Sequence, residues 1–152
     1  MQFFILQIAL LAVLAASRPL CGRTNDKWLV NHFSSGVAPH SISQITSFNL
    51  GRPAANQTIP CSNVTGAALS STPFLVPVPD GKCLAGSGFS FSFRQVEDYA
   101  VELSVRDAKG ATATYTSGPG AVTTSSTGPG PHDTATVYVG PPEFELVKEA
   151  SA

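Results

Sequence analysis

Between Phe89 and Thr116 three segments, residues 89–94, 99–106 and 111–116, alternate apolar and polar residues with a period of two. That period puts successive side chains on opposite faces of a strand, and it excludes a helix over the same residues. Phe89, Phe91 and Phe93 alternate with Ser90, Ser92 and Arg94, so three rings share one face. Tyr99, Val101, Leu103 and Val105 alternate with Ala100, Glu102, Ser104 and Arg106 in the same way. Asp107-Ala108-Lys109-Gly110 then makes a short connection, with glycine free to take positive φ, and residues 111–116 resume the alternation. Three antiparallel strands follow, each with one apolar and one wet face.

Weaker segments flank this meander. Lys27 to Phe33 and His40 to Leu50 are expected strands, but Ile42 and Ile45 fall three apart. The second strand keeps an apolar face only if a bulge or bend intervenes. Thr58 to Ser62 and Phe74 to Val78 are shorter, and Pro73, Pro77 and Pro79 confine the latter to an edge or a loop. Pro79-Asp80-Gly81 reads as a turn before Cys83. Residues 117–133, with Gly-Pro-Gly twice and a Thr/Ser run open to O-glycosylation, read as a flexible, solvated loop. Thr134 to Val139 is the expected closing strand, Pro141-Pro142 stops it, and residues 143–152 form a frayed tail whose Phe144, Leu146 and Val147 are able to dock. The fold class is all-β: a small antiparallel β-sandwich or partly open β-barrel of about seven or eight strands with one internal disulfide.

The N-terminus is apolar and uncharged from Phe3 to Ala16, too short for a helix crossing ~30 Å of hydrocarbon. Small residues at Ala15 and Ser17 suit a signal peptidase, so residues 1–17 are expected to be a cleaved signal peptide. The secreted β domain then runs over 18–142, with 143–152 as the tail. The net charge of −1 offers no basic footprint for nucleic acid or for an anionic membrane.

Three cysteines fit an oxidising destination, and none has the CxxC spacing of a zinc site. Cys61 and Cys83 lie within the folded region and are the favoured internal pair, a closure contributing roughly 3 kcal/mol. Cys21 is left over. A Cys21–Cys21 dimer, pairing with Cys61 or Cys83, and capping by a small thiol all remain open for it. Asn56-Gln57-Thr58 and Asn63-Val64-Thr65 are N-glycosylation sequons, and their closeness suggests one glycosylated face around Cys61.

The order of these features from Trp28 onward resembles the Alternaria major-allergen-like family of small fungal secreted proteins. The resemblance rests on the signal segment, the early Cys21, Trp28-Leu29-Val30-Asn31-His32-Phe33, Ser47-Phe48-Asn49-Leu50, the Cys61…Cys83 pair and Phe89-Ser90-Phe91-Ser92-Phe93, and covers most of residues 21–118. It implies a β-barrel, dimerisation through a cysteine in the position of Cys21, and an internal bridge at Cys61 and Cys83. It also implies a factor at the host or environmental interface, with elicitor, defence-protein-binding and allergen roles. The family's type member has a second internal disulfide near the C-terminus, where this chain carries the 117–133 segment instead.

Signatures of catalysis are weak. His32, His40 and His132 sit on three separate segments without a shared ligand spacing, so no metal and no cofactor is expected. Glu97-Asp98, Asp107 and Asp133 read as turn residues, and Glu102 as part of a solvated strand face. Gly86-Ser87-Gly88 precedes a strand, unlike a nucleophile elbow at a strand-to-helix turn. Trp28 and the three phenylalanines are expected in the core before any sugar platform or ligand site. The expected function is therefore a non-enzymatic extracellular binder of a host protein or a small apolar ligand, allergen-like or effector-like. The alternative is a cell-wall-associated structural or carbohydrate-binding protein.

Overall fold

The computed structural model describes residues 27–68, 73–126, 128–130 and 133–148. The expected signal segment, Cys21 and His132 lie outside them. Among the described residues ten strands follow in chain order: β1 (Trp28–Val37), β2 (Ser43–Arg52), β3 (Gln57–Gly66), β4 (Val78–Cys83), β5 (Ser90–Gln95), β6 (Val101–Arg106), β7 (Thr112–Thr116), β8 (Val122–Ser126), β9 (Thr134–Tyr138) and β10 (Phe144–Lys148). β1 to β7 form an antiparallel meander, and β10 bonds to both β7 and β1, which closes eight strands into a barrel. The hairpin β8–β9 adds to β1 outside that circle.

Two expectations about the C-terminal third are corrected here. The segment 117–133 is not only a loop, because β8 lies within it and pairs with β9 along five residue pairs. Residues 143–148 are not a frayed tail: Trp28 opposes Leu146, Val147 opposes Thr114, and Leu146 is buried. The expected closing strand, now β9, only extends the sheet. A five-residue strand with a single inward side chain between two exposed neighbours carries little periodicity of its own.

Opposite β2, the other edge of β1 serves two partners in turn, and a bulge makes this feasible. Trp28–Val30 pairs with β10, whereas Gly36 and Val37 pair with β9. Between them the register against β2 shifts, and His32 takes φ 56°. The extra residue resets the alternation, so Trp28 and Val30 point inward before it and Phe33, Ser35 and Val37 after it. His32 is left exposed on the bulge. Phe33 then touches the rings of Phe48, Phe93, Tyr138 and Phe144 at centroid distances of 4.9–6.1 Å.

β2 needs no bulge, contrary to expectation. Its register against β3 is unbroken, and the inward residues are Gln44, Thr46, Phe48 and Leu50. Ile45 points outward, 54% exposed, and Ile42, 84% exposed, precedes the strand. Burial of Phe48 and Leu50 sets the phase of the strand, and two polar residues are carried inside with them. The rung partner Ser35 shares a 2.8 Å hydrogen bond with Thr46, which satisfies both hydroxyls in the interior.

Phe74–Val78 is not a strand, and Pro79-Asp80-Gly81 is not a turn. β4 begins at Val78 and runs through them with a register shift between Val78 and Gly81. Gly81 opposes Phe91, whose ring lies across the space a Cβ would fill. The Phe89, Phe91 and Phe93 rings are buried as expected, together with Val101, Leu103 and Val105. Tyr99 leaves that register and is exposed. Trp28 is 1% exposed, which removes it as a sugar-stacking platform.

The Cys61–Cys83 disulfide joins directly opposed residues of β3 and β4. Those strands share only two rungs, so the covalent link secures a thin seam of the barrel wall. Replacing both cysteines by serine is expected to lower stability by roughly 3 kcal/mol, read as an earlier denaturant midpoint. An unchanged midpoint under oxidising conditions would contradict this.

Candidate functional site

The barrel has two chemically different ends. At the first, β1 begins, β2 ends and β10 finishes. The Arg52 guanidinium lies 5.5 Å from the Phe89 ring centroid, and Phe89 meets Trp28 edge-on at 5.2 Å and 79°. Lys148 Nζ sits 5.0 Å from the Trp28 ring. Two cations thus flank a pair of aromatic rings in edge-to-face contact, an arrangement favoured by ring quadrupoles. Beside Arg52 lies an open groove of about 620 Å³, with Asn56, Thr58, Leu84, Ser87 and Phe89 among its walls. Ser87 belongs to a tight turn there, its Oγ accepting from the Phe89 N–H at 3.3 Å.

The opposite end is held by two glutamines. Gln44 is fully buried; its Nε2 donates to Val76 O at 2.8 Å and its Oε1 accepts from the Val76 N–H at 2.6 Å. Gln95 does the same one residue earlier, accepting from the Leu75 N–H at 2.9 Å and donating to Pro73 O at 3.1 Å. Side-chain amides therefore replace the missing strand partner for Pro73–Pro77. Leu75 is held with no exposure as a plug, and Phe74 points outward, 40% exposed.

Next to this plug, a 3-10 turn at Glu97–Tyr99 joins β5 to β6. Asp98 and Tyr99 both adopt left-handed backbone, φ 55° and 57°. The Val96 N–H bonds to Ala100 O at 2.8 Å, and the Gly120 N–H bonds to Asp98 O at 2.7 Å. Ser117 anchors the neighbouring loop, its Oγ accepting from the Val101 N–H at 2.9 Å. The rim so built presents Tyr99, 44% exposed, beside the carboxylates of Glu97 and Asp98.

Other sequence candidates are dispersed. His40 stands in the β1–β2 turn, 3.0 Å from Asp133 Oδ1, while His32 is on the β1 bulge. Glu102 pairs with Arg94 on the outer face, and that pair holds the Arg94 guanidinium above its usual range. Asp107 closes its turn by accepting from the N–H groups of Lys109 and Ala111. Asn56 ends the 3-10 turn before β3 and is exposed, whereas Asn63 lies within β3 and is half-buried. Among the described residues no group of three His, Cys, Asp or Glu side chains is placed to hold a metal.

Where the β8–β9 hairpin leaves the barrel, Tyr115 stacks on Phe144 at 3.8 Å and Tyr138 donates to Pro141 O at 3.0 Å. Burial, and then the adjacent Tyr115, push the Tyr138 hydroxyl well above the usual phenol range. The folded state therefore keeps this proton where the unfolded chain releases it, at about pH 10 and above. Stability is expected to fall as pH rises beyond that point, and less steeply in Tyr138→Phe. Parallel denaturant curves on the two proteins would check this, and identical alkaline slopes would contradict it.

The sequence missed Gln44 and Gln95 as site-building residues. The signal for Gln44 was present, since counting back in twos from Leu50 and Phe48 reaches Thr46 and Gln44. The class defined by these features is a small closed antiparallel β-barrel with an appended hairpin and one wall disulfide. In fold the chain is similar to the crystal structure of Alternaria alternata allergen Alt a 1, at 18% identity, over 88% of this chain and 95% of that one, with a TM-score of 0.48. No protein-family model and no curated protein matches the chain.

Proposed function

We propose that this chain is a secreted, non-enzymatic binding protein, allergen-like or effector-like, that engages a host extracellular protein through the rim at Tyr99. The observation that carries this reading is the pair of consecutive left-handed residues, Asp98 and Tyr99, neither of them glycine. Each such residue costs on the order of 1–3 kcal/mol, a strain that concentrates at sites selected for something other than stability. Its product is an outward tyrosine flanked by carboxylates, and Phe74, next to the Leu75 whose N–H bonds to Gln95, is a second exposed ring. Aromatic anchors with a polar surround are the usual composition of a protein-binding hot spot.

A protein partner is favoured over a small apolar ligand because Phe33, Phe48, Phe91, Phe93 and Leu103 occupy the barrel interior. If Cys21 forms an intermolecular bridge, the dimer presents two rims and gains avidity where both can engage.

The test is a pull-down with residues 18–152, run against host extracellular fluid and against insoluble wall polysaccharide. One host protein retained stoichiometrically by the native chain and lost by Tyr99→Ala is the expected result. Retention by polysaccharide alone would favour the cell-wall reading, and unaltered capture by Tyr99→Ala would move the interface elsewhere.

A further inference from the structure

Two sequons lie in one strand-and-turn unit, yet the fold treats their asparagines differently. Asn56 ends the 3-10 turn Pro53–Ala55 in left-handed backbone, φ 48° and ψ 45°, a conformation asparagine tolerates better than most residues. Its N–H is satisfied by Pro53 O at 3.1 Å. Gln57 and Thr58, which complete the sequon, are exposed with it. A sugar on Asn56 Nδ2 has open solvent before it and disturbs no rung of the sheet.

Asn63 stands in the opposite situation. It is directly across from Thr46, and residues directly opposed in an antiparallel pair share a face. Thr46 has no exposure, so the Asn63 side chain belongs to the interior face and is half-buried there, while its neighbour Val64 points outward at 64% exposed. Thr65, the hydroxyl residue of that sequon, opposes the buried Gln44, and its Oγ1 is buried without a hydrogen-bond partner. A two-sugar stem on Asn63 would have to leave from the interior face, one rung pair from the buried Gln44 that holds Val76.

We infer that the folded, exported protein carries N-linked glycan on Asn56 and none on Asn63. This rests on the export part of the proposed function. The glycan rises from the wall of the Arg52–Phe89 groove, so it screens that end of the barrel and leaves the Tyr99 rim bare. The modification is the ordinary one, an amide-linked N-acetylglucosamine core transferred to Asn56 Nδ2 from a lipid-linked donor in the secretory pathway. The amide loses one proton and the lipid pyrophosphate leaves.

The experiment expresses the full chain in a eukaryotic secretion host and recovers it from the medium. Peptide-N-glycosidase treatment in heavy-oxygen water, followed by peptide mass mapping, then reads each asparagine separately. The expected result is label at Asn56 only, with the mobility shift lost in Asn56→Gln and kept in Asn63→Gln. Label at Asn63 in soluble, cooperatively folding protein would overturn the inference, as would an unmodified Asn56. A chain absent from the medium would instead overturn the export reading. In that event the same mapping on residues 18–152 behind a heterologous leader decides the asparagine question.

Discussion

Truncation after Pro142 is expected to abolish folding. The removed residues include β10, the strand that bonds both β1 and β7 and closes the barrel. Its loss bares two sheet edges and uncovers Trp28, which opposes Leu146. Burying Leu146 and most of Phe144 contributes about 1.5–3 kcal/mol for each side chain. The closing ladder adds to that, so the total reaches the ~5–15 kcal/mol by which domains are stable at all. Circular dichroism and size exclusion would show an expanded or aggregated chain. Leu146→Ala provides a graded version, expected to cost about 2–5 kcal/mol while leaving the fold intact. A truncated chain that still unfolds cooperatively with a native-like spectrum would show that β10 is dispensable.

Gln44→Leu is expected to cost about 2–4 kcal/mol, although it places an apolar residue in a buried position. Leucine leaves the Val76 N–H and C=O without the amide that satisfies both, and a stranded backbone group costs about 1–3 kcal/mol. Release of Val76 also loosens Leu75, so the midpoint should drop together with the denaturant slope's two-state quality. Gln95→Leu should act in the same direction through the Leu75 N–H and Pro73 O. The two variants share one clamped segment, so their effects should fall short of additive. A Gln44→Leu protein as stable as the parent would mean that water replaces the amide, and that the plug is not held from inside.

How legible the fold was depended on how much burial each strand carries alone. β6 buries three alternating residues and β5 two, with Phe89 just before it in the same phase, and their period was plain in the amino acids. β10 buries only Leu146 fully, and β8 only Val122, so both looked like tail and loop. In β4 the turn-like Pro79-Asp80-Gly81 competes with pairing, and the pairing of Gly81 with Phe91 prevails because the ring covers the glycine. The Tyr99 rim was half visible: Glu97-Asp98 announced a turn, but the alternation with Val101 placed Tyr99 in the core. Nothing local reveals that the Asp98 carbonyl will be held by Gly120, because those residues meet only after β7 has returned along β6.

By itself, then, the amino-acid order determined the all-β class, the aromatic face of Phe89, Phe91 and Phe93, and the preference for a Cys61–Cys83 bridge. Those features follow from period, residue type and spacing, which are properties of short segments. Only the tertiary structure decided which strand closes the barrel, where the bulge in β1 falls, and that Gln44 and Gln95 turn inward to hold Leu75. Each of these is a competition between distant segments for the same edge or the same interior space. Its outcome depends on total burial and on satisfied backbone groups, which no local pattern carries.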